Sequence, residues 1–243
     1  MPTWDMTTEK QQLLAEIEAH ADPRYERVVR KSVPSRLTVY GLRVFEIKRL
    51  VKAWRQEHKG VALEDLLVLV ETLWKGPSRE ERLVALGLLQ HYPQTIPQLS
   101  RTQFDRWRQD LDSWELTDVL GREVLGAWVA EDQEGRAEYL WALIEDRDVW
   151  SRRLGLIGGI GLIRVQKEEG SLDLLLDLVD HLKHDHEPPI TKAVSWALRE
   201  LGKRYPERVS AYLEANEASL ARHVIREVRN KLETGRKNGR RTT

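Results

Sequence analysis

Three stretches of the chain set an indole beside a charge at helical spacing. Trp114 and Asp118 are four residues apart, Trp150 and Arg153 three, and Trp196 and Arg199 three, so each pair shares one helix face. By type, an indole face attracts cations, a carboxylate stabilises nearby positive charge, and a guanidinium grips carboxylate or phosphate as a fork. Taken singly, such a pair reads as a core ring with a solvated charge beside it. The use of nine tryptophans against two phenylalanines is unusual, because a buried indole must also house its N–H.

Other chemistry is weaker. His181, His184 and His186 lie within HLKHDH, and the i, i+3 pair has zinc-binding spacing, but no third ligand follows at a fixed interval, so no metal site is expected. Gly158-Gly159-Ile160-Gly161 has the look of a phosphate loop, yet it sits in a helical run with no preceding strand. Close helix packing accounts for it better. Arg222, Arg226, Arg229 and Lys231 project at helical intervals and suit either phosphates or solvent. The chain has no cysteine, which removes disulfides, thiolate nucleophiles, zinc knuckles and iron–sulfur clusters together.

The elements that would position these groups are helices almost throughout. Leu63, Leu66, Leu67, Val70 and Trp74 form one stripe of a 3.6-residue period, and Val44, Ile47, Val51 and Trp54 another. Thr8 with Gln11, Ser78 with Glu81 and Thr102 with Asp105 have capping-box spacing. Pro188 and Pro189 suit a first turn, Pro206 a stop, and Gly60 and Gly235 helix ends. Nothing alternates as a strand. Helices are expected near 8–20, 23–31, 43–58, 62–75, 79–92, 102–110, 113–130, 134–145, 149–165, 171–184, 188–205, 207–215 and 219–234. Successive pairs return roughly every 35–45 residues, the rhythm of HEAT or armadillo units. The expected fold is therefore all-α, a curved solenoid of HEAT-like antiparallel helix pairs. It forms a single domain over 1–234, with a basic, disordered tail at 235–243.

Composition agrees with a soluble globular protein at 41% hydrophobic and 32% charged residues. No apolar run is long enough to span a bilayer. The first residues, MPTWDMTTEK, lack a secretory pattern, so the cytoplasm, beside the nucleoid in a prokaryote, is the expected location. The net charge of zero conceals asymmetry: residues 24–59 carry 11 Lys/Arg against three acids, residues 199–243 carry 12 against six, and residues 101–150 carry six against 13. Two basic ends around an acidic middle fit either solvated helix faces or a polyanion-binding face.

The indole–charge segments also carry a family resemblance. The chain resembles the AlkD-type DNA alkylation repair glycosylases of HEAT-like repeats. Their W-x-x-x-D pattern matches Trp114 and Asp118, their W-x-x-R pattern Trp150 and Arg153, and their K-A-[IV]-x-W-x-L-R-E segment Lys192–Glu200. A hydrophobic-Gly-hydrophobic element with a basic helix covers Val39–Lys52, and a C-terminal R-E element falls on Arg226 and Glu227. Phe45 and Ser113 depart from the family pattern, which has proline near the first and an aromatic at the second. The resemblance implies a monofunctional glycosylase that hydrolyses the N-glycosidic bond of cationic alkylated purines, of the 3-methyladenine and 7-methylguanine type. It would act on duplex DNA without obligatory base flipping, as a monomer with no cofactor or metal. Asp118, Trp114 and Trp196 would act on the sugar, while Arg153, Trp150, Lys192, Arg199 and Arg226 would hold DNA. A non-catalytic HEAT-repeat module for DNA structures or for proteins is the alternative, because fold alone does not separate these uses.

Overall fold

The computed structural model describes residues 5–239. Among them the chain is helical, with no strand and one isolated bridge between Thr38 and Ser78. The helices divide between two compact units, Met1–Leu120 and Gly121–Thr243.

The first unit contains α1 (Met6–Ala19), α2 (Pro23–Ser32), α3 (Val44–Glu57), α4 (Leu63–Trp74), α5 (Arg79–His91), α6 (Arg101–Gln109) and α7 (Trp114–Val119), with a 3₁₀ turn at Pro93–Gln98. Helix α5 is its centre, packed by α3, α4 and α7, while α1 covers α4. Both Val84 and Leu88 are fully buried, as a helix enclosed by neighbours requires. A ring cluster of Trp74, Phe104 and Trp107 fills the space beside it, with centroids 5.4 and 5.7 Å apart.

The second unit begins one residue into a π turn at Leu120–Leu125 and continues through α8 (Gly126–Ala130), α9 (Gln133–Ile144), α10 (Val149–Val165), α11 (Glu169–Leu182), α12 (Pro188–Leu201), α13 (Pro206–Ala215) and α14 (Arg222–Thr234). Helices α8, α10, α12 and α14 pack side by side in chain order. Helices α9, α11 and α13 each pack on the helix that follows them. This is the helix-pair repeat that the rhythm of apolar stripes implies.

Most boundaries fall where periodicity places them. Ser78 caps α5 as expected: its Oγ accepts from Glu81 N at 3.1 Å, and Glu81 Oε2 accepts from Ser78 N at 3.1 Å. Two caps shift upstream. Asp5 caps α1 in place of Thr8, whose hydroxyl instead donates to Asp5 at 2.5 Å. Ser100 caps α6 in place of Thr102, because Ser100 and Gln103 already complete a reciprocal box. The run expected over 188–205 stops at Leu201, with Gly202 as its cap. The helix expected over 113–130 is interrupted by the π turn. Gly235 adopts φ +70° at the end of α14, the left-handed cap that glycine favours. Of the basic tail, residues 235–239 stay beside α14, with Asn230 Nδ2 donating to Lys237 O at 3.2 Å. Residues 240–243 lie outside the described residues.

The glycine-rich run of α10 is a packing device. A Cβ on Gly161 would lie 2.6 Å from Arg122 O, and one on Gly126 would lie 2.4 Å from the Gly161 carbonyl carbon. Backbone meets backbone there. Replacing Gly126 by alanine is therefore expected to cost about 1–3 kcal/mol of unfolding free energy. Gly170→Ala, where a Cβ meets nothing within 4 Å, should instead stabilise by up to about 1 kcal/mol. Urea denaturation of the two variants checks the contrast.

Candidate functional site

In the first unit, α7 carries Trp114 at its first position and Asp118 one turn later. The indole is 41% exposed, unusual for so large a ring, yet it is not loose. Its Nε1–H donates to the Ser32 carbonyl at 3.0 Å, fixing the ring against the end of α2. Just upstream, the Asp112 carboxylate accepts from Ser35 Oγ and from Arg36 N, both at 2.7 Å. Asp118 is half-buried. An anchored, exposed indole thus shares a helix face with a carboxylate.

Beneath α7 lies a buried charge network. Arg79, 3% exposed, donates twice to Glu115, from Nε at 2.6 Å and Nη2 at 2.7 Å. Its Nη1 donates to Glu80 at 2.8 Å and to the Leu42 carbonyl at 3.0 Å. Burial alone would lower the Arg79 pKa, but Glu115 and Glu80 outweigh it and hold the guanidinium charged. The fully buried Glu80 carboxylate also accepts from the backbone N–H of Tyr40, Gly41 and Leu42 at 3.0, 3.1 and 3.3 Å. The hydrophobic-Gly-hydrophobic element is thereby explained. Gly41 adopts φ +88°, and a Cβ there would lie 2.3 Å from the Asp22 carbonyl.

In the second unit the remaining matched residues lie on α10, α12 and α14, which are neighbours in one layer. Trp150 is half-buried. Arg153 is 5% exposed, and its Nη1 donates to the Pro189 carbonyl in the first turn of α12. Lys192 is exposed on α12. Trp196, half-buried one turn later, donates from Nε1 to Glu200 at 3.3 Å. Arg199 turns back on its own helix, its Nε donating to the Ser195 carbonyl at 3.1 Å. Burial holds its pKa below the usual guanidinium range, against the pull of Glu227 and Glu200. Arg226 is exposed on α14. Its neighbour Glu227 accepts from Ser195 Oγ at 2.6 Å, joining α14 to α12. Burial would raise the Glu227 pKa, but the Ser195 hydroxyl, Lys237 and Arg199 hold it below the ordinary carboxylate value.

One residue at this layer carried no signal in the sequence. Arg122, in the π turn, places its guanidinium 5.8 Å from the Trp196 ring centroid. No motif contains it, and the interruption that presents it has no sequence marker apart from the glycines on either side, Gly121 and Gly126. Of the three histidines, all exposed, His181 meets the Trp141 ring edge-on at 5.8 Å. Among the described residues no group of three His, Asp or Glu side chains is disposed to hold a metal ion. No described helix is long and apolar enough to cross a membrane.

Comparison with known proteins adds three findings. The family model described as DNA alkylation repair enzyme matches residues 13–232. A structure described as a predicted DNA alkylation repair enzyme from Enterococcus faecalis superimposes with a TM-score of 0.70 at 22% identity, over 88% of this chain and 97% of that one. AlkD2 from Streptococcus mutans gives 0.53 at 15% identity, over 79% and 88%. No curated protein matches.

Proposed function

The chain belongs to the DNA alkylation repair enzyme family, and from that membership we propose that it is a monofunctional glycosylase releasing cationic alkylated purines from duplex DNA. The observation that carries the reading is the anchored, exposed Trp114 with Asp118 one turn along the same helix.

The chemistry suits these groups. Alkylation at N7 of guanine or N3 of adenine makes the base cationic, so the electron pair of the breaking N-glycosidic bond neutralises it as it leaves. Positive charge develops on the deoxyribose as that bond lengthens. The Asp118 carboxylate stabilises this charge and orients the water whose oxygen bonds to C1′; the proton that water sheds passes to solvent. The indole face of Trp114 packs on the cationic sugar, and Trp196 offers a face of the same kind to bound DNA. Arg153 takes the flanking phosphate, and Trp150, Lys192, Arg199 and Arg226 hold the backbone. Because the lesion supplies its own leaving-group charge, no base pocket is needed and the damaged base can react without extrusion, unlike the usual strategy. No lysine forms a Schiff base, so the product is an intact strand with an abasic site.

Incubating the purified protein with duplex DNA methylated by dimethyl sulfate tests the reading. Release of free 7-methylguanine or 3-methyladenine, with alkali-labile but uncleaved strands, is the expected result. Salt-dependent DNA binding without any base release would instead assign the chain to the non-catalytic modules and overturn the proposal.

A further inference from the structure

We propose that Arg122 is a DNA-phosphate contact held in reserve by Glu123, released when a phosphate arrives beside Trp196. The inference rests on the glycosylase reading only in taking the Trp196 face as the one DNA approaches.

Three observations lead to it. First, the Arg122 backbone is fixed while its side chain is not enclosed. Its carbonyl lies against Gly161 so closely that a Cβ there would come within 2.6 Å of it, yet the side chain is 39% exposed. The main chain cannot retreat, so the guanidinium has a defined radius of action. It also sits in a π turn, an interruption that recurs at functional sites because it redirects a side chain from the regular helix surface. Second, the guanidinium is over the Trp196 ring at 5.8 Å, one turn of α12 from the exposed Lys192. It thus occupies the indole face that a sugar would need.

Third, the counter-ion is shared and improvised. Glu123 accepts from Arg122 Nε at 2.7 Å and from Arg164 Nη1 at 3.0 Å. Among the described residues Glu123 is the only carboxylate paired with either guanidinium. Two cations on one carboxylate leave this trio with a net positive charge, and its Arg122 arm lies beside the Trp196 ring. A phosphate there would take up the second charge and displace the Glu123 contact with a bidentate one of equal type. Adjacent-residue ion pairs at partly exposed positions are weak holders, which suits a group that must change partners.

The proposal predicts opposite effects from neighbouring substitutions. Binding to a duplex carrying a tetrahydrofuran abasic-site analogue is followed by fluorescence anisotropy over a salt series. Arg122→Ala should weaken binding several-fold and reduce the slope of log K against log salt by about 0.9, the value of one phosphate contact. Arg122→Lys should keep the slope. Glu123→Gln, which frees both arginines, should tighten binding several-fold, a gain that misfolding cannot mimic. Unchanged slopes in Arg122→Ala, or weaker binding in Glu123→Gln, would overturn the proposal. A shift of tryptophan emission in Arg122→Ala with no change of slope would also overturn it, since Arg122 would then only pack on the ring. If the wild-type protein releases bases while the slopes do not respond, this inference alone fails. If the slopes respond and no base is released, the glycosylase reading fails and Arg122 stands.

Discussion

Asp118→Asn is expected to slow single-turnover release of 7-methylguanine by about 100- to 1000-fold, the usual loss when one group aimed at developing transition-state charge is removed. The substitution keeps volume and hydrogen-bonding shape and deletes only the negative charge. The ground-state complex should be held almost as well, because the proposed function gives the phosphate contacts to Arg153, Lys192 and Arg226 and not to the carboxylate. The loss should therefore appear in the chemical step, with the dissociation constant for abasic-site duplex within about threefold of wild type. Trp114→Ala removes a ring that is 41% exposed and hydrogen-bonded through its N–H to the Ser32 carbonyl. It should cost rate with little effect on stability. Trp114→Phe, which keeps a π face without the N–H, should recover part of that loss. An Asp118→Asn protein that releases base at the wild-type rate would remove the carboxylate from the mechanism and leave the site without its central charge.

The fold was readable because apolar spacing is a local property. Leu63–Trp74 and Lys192–Leu201 declare their buried faces residue by residue, and Ser78–Glu81 declares its own cap. What escaped is what depends on neighbours distant in sequence. Arg79 and Glu80 look like the solvated first turn of a charged helix, and both are buried, because their partners come from the Leu42 carbonyl, Glu115 and the Tyr40–Leu42 backbone N–H groups. Thr8 and Thr102 have the right spacing to cap, but Asp5 and Ser100 lie one turn-start earlier and take the role. The π turn at Leu120–Leu125 leaves no periodic trace over six residues, so Arg122 stayed hidden. The chemistry-bearing positions were legible by resemblance alone; their local geometry was not. Arg153 and Arg199 look from sequence like cations on display, whereas the first is buried against the Pro189 carbonyl and the second is folded onto Ser195. If both hold DNA as proposed, these guanidiniums are preset by protein oxygens before any phosphate arrives.

The largest expected loss of stability comes from the network beneath α7. Arg79→Ala should lower unfolding free energy by about 3–5 kcal/mol, the cost of leaving a buried ion pair without one partner. Here the loss strands two carboxylates, Glu80 at 0% exposure and Glu115 at 9%. Glu80 keeps its three backbone N–H donors from Tyr40, Gly41 and Leu42, so it remains partly satisfied. Glu115 loses both of its Arg79 bonds, and it is the residue next to Trp114. The damage should therefore concentrate at the start of α7. Arg79→Lys retains charge but not the fork, and should recover less than half of the loss. The decisive comparison pairs Arg79→Met with Glu115→Leu. Each single change should be costly, and the double variant should be closer to wild type than the two losses added together, since removing both charges removes the desolvation that neither satisfies alone. Urea denaturation gives the stabilities. Additive losses in the double variant would mean that the two side chains do not depend on each other in solution. Base release by the folded double variant then separates stability from positioning. With the Arg79–Glu115 pair replaced by apolar side chains and Glu80 left on its backbone N–H donors, α7 should remain folded but less rigidly set, and the rate should fall while DNA affinity holds.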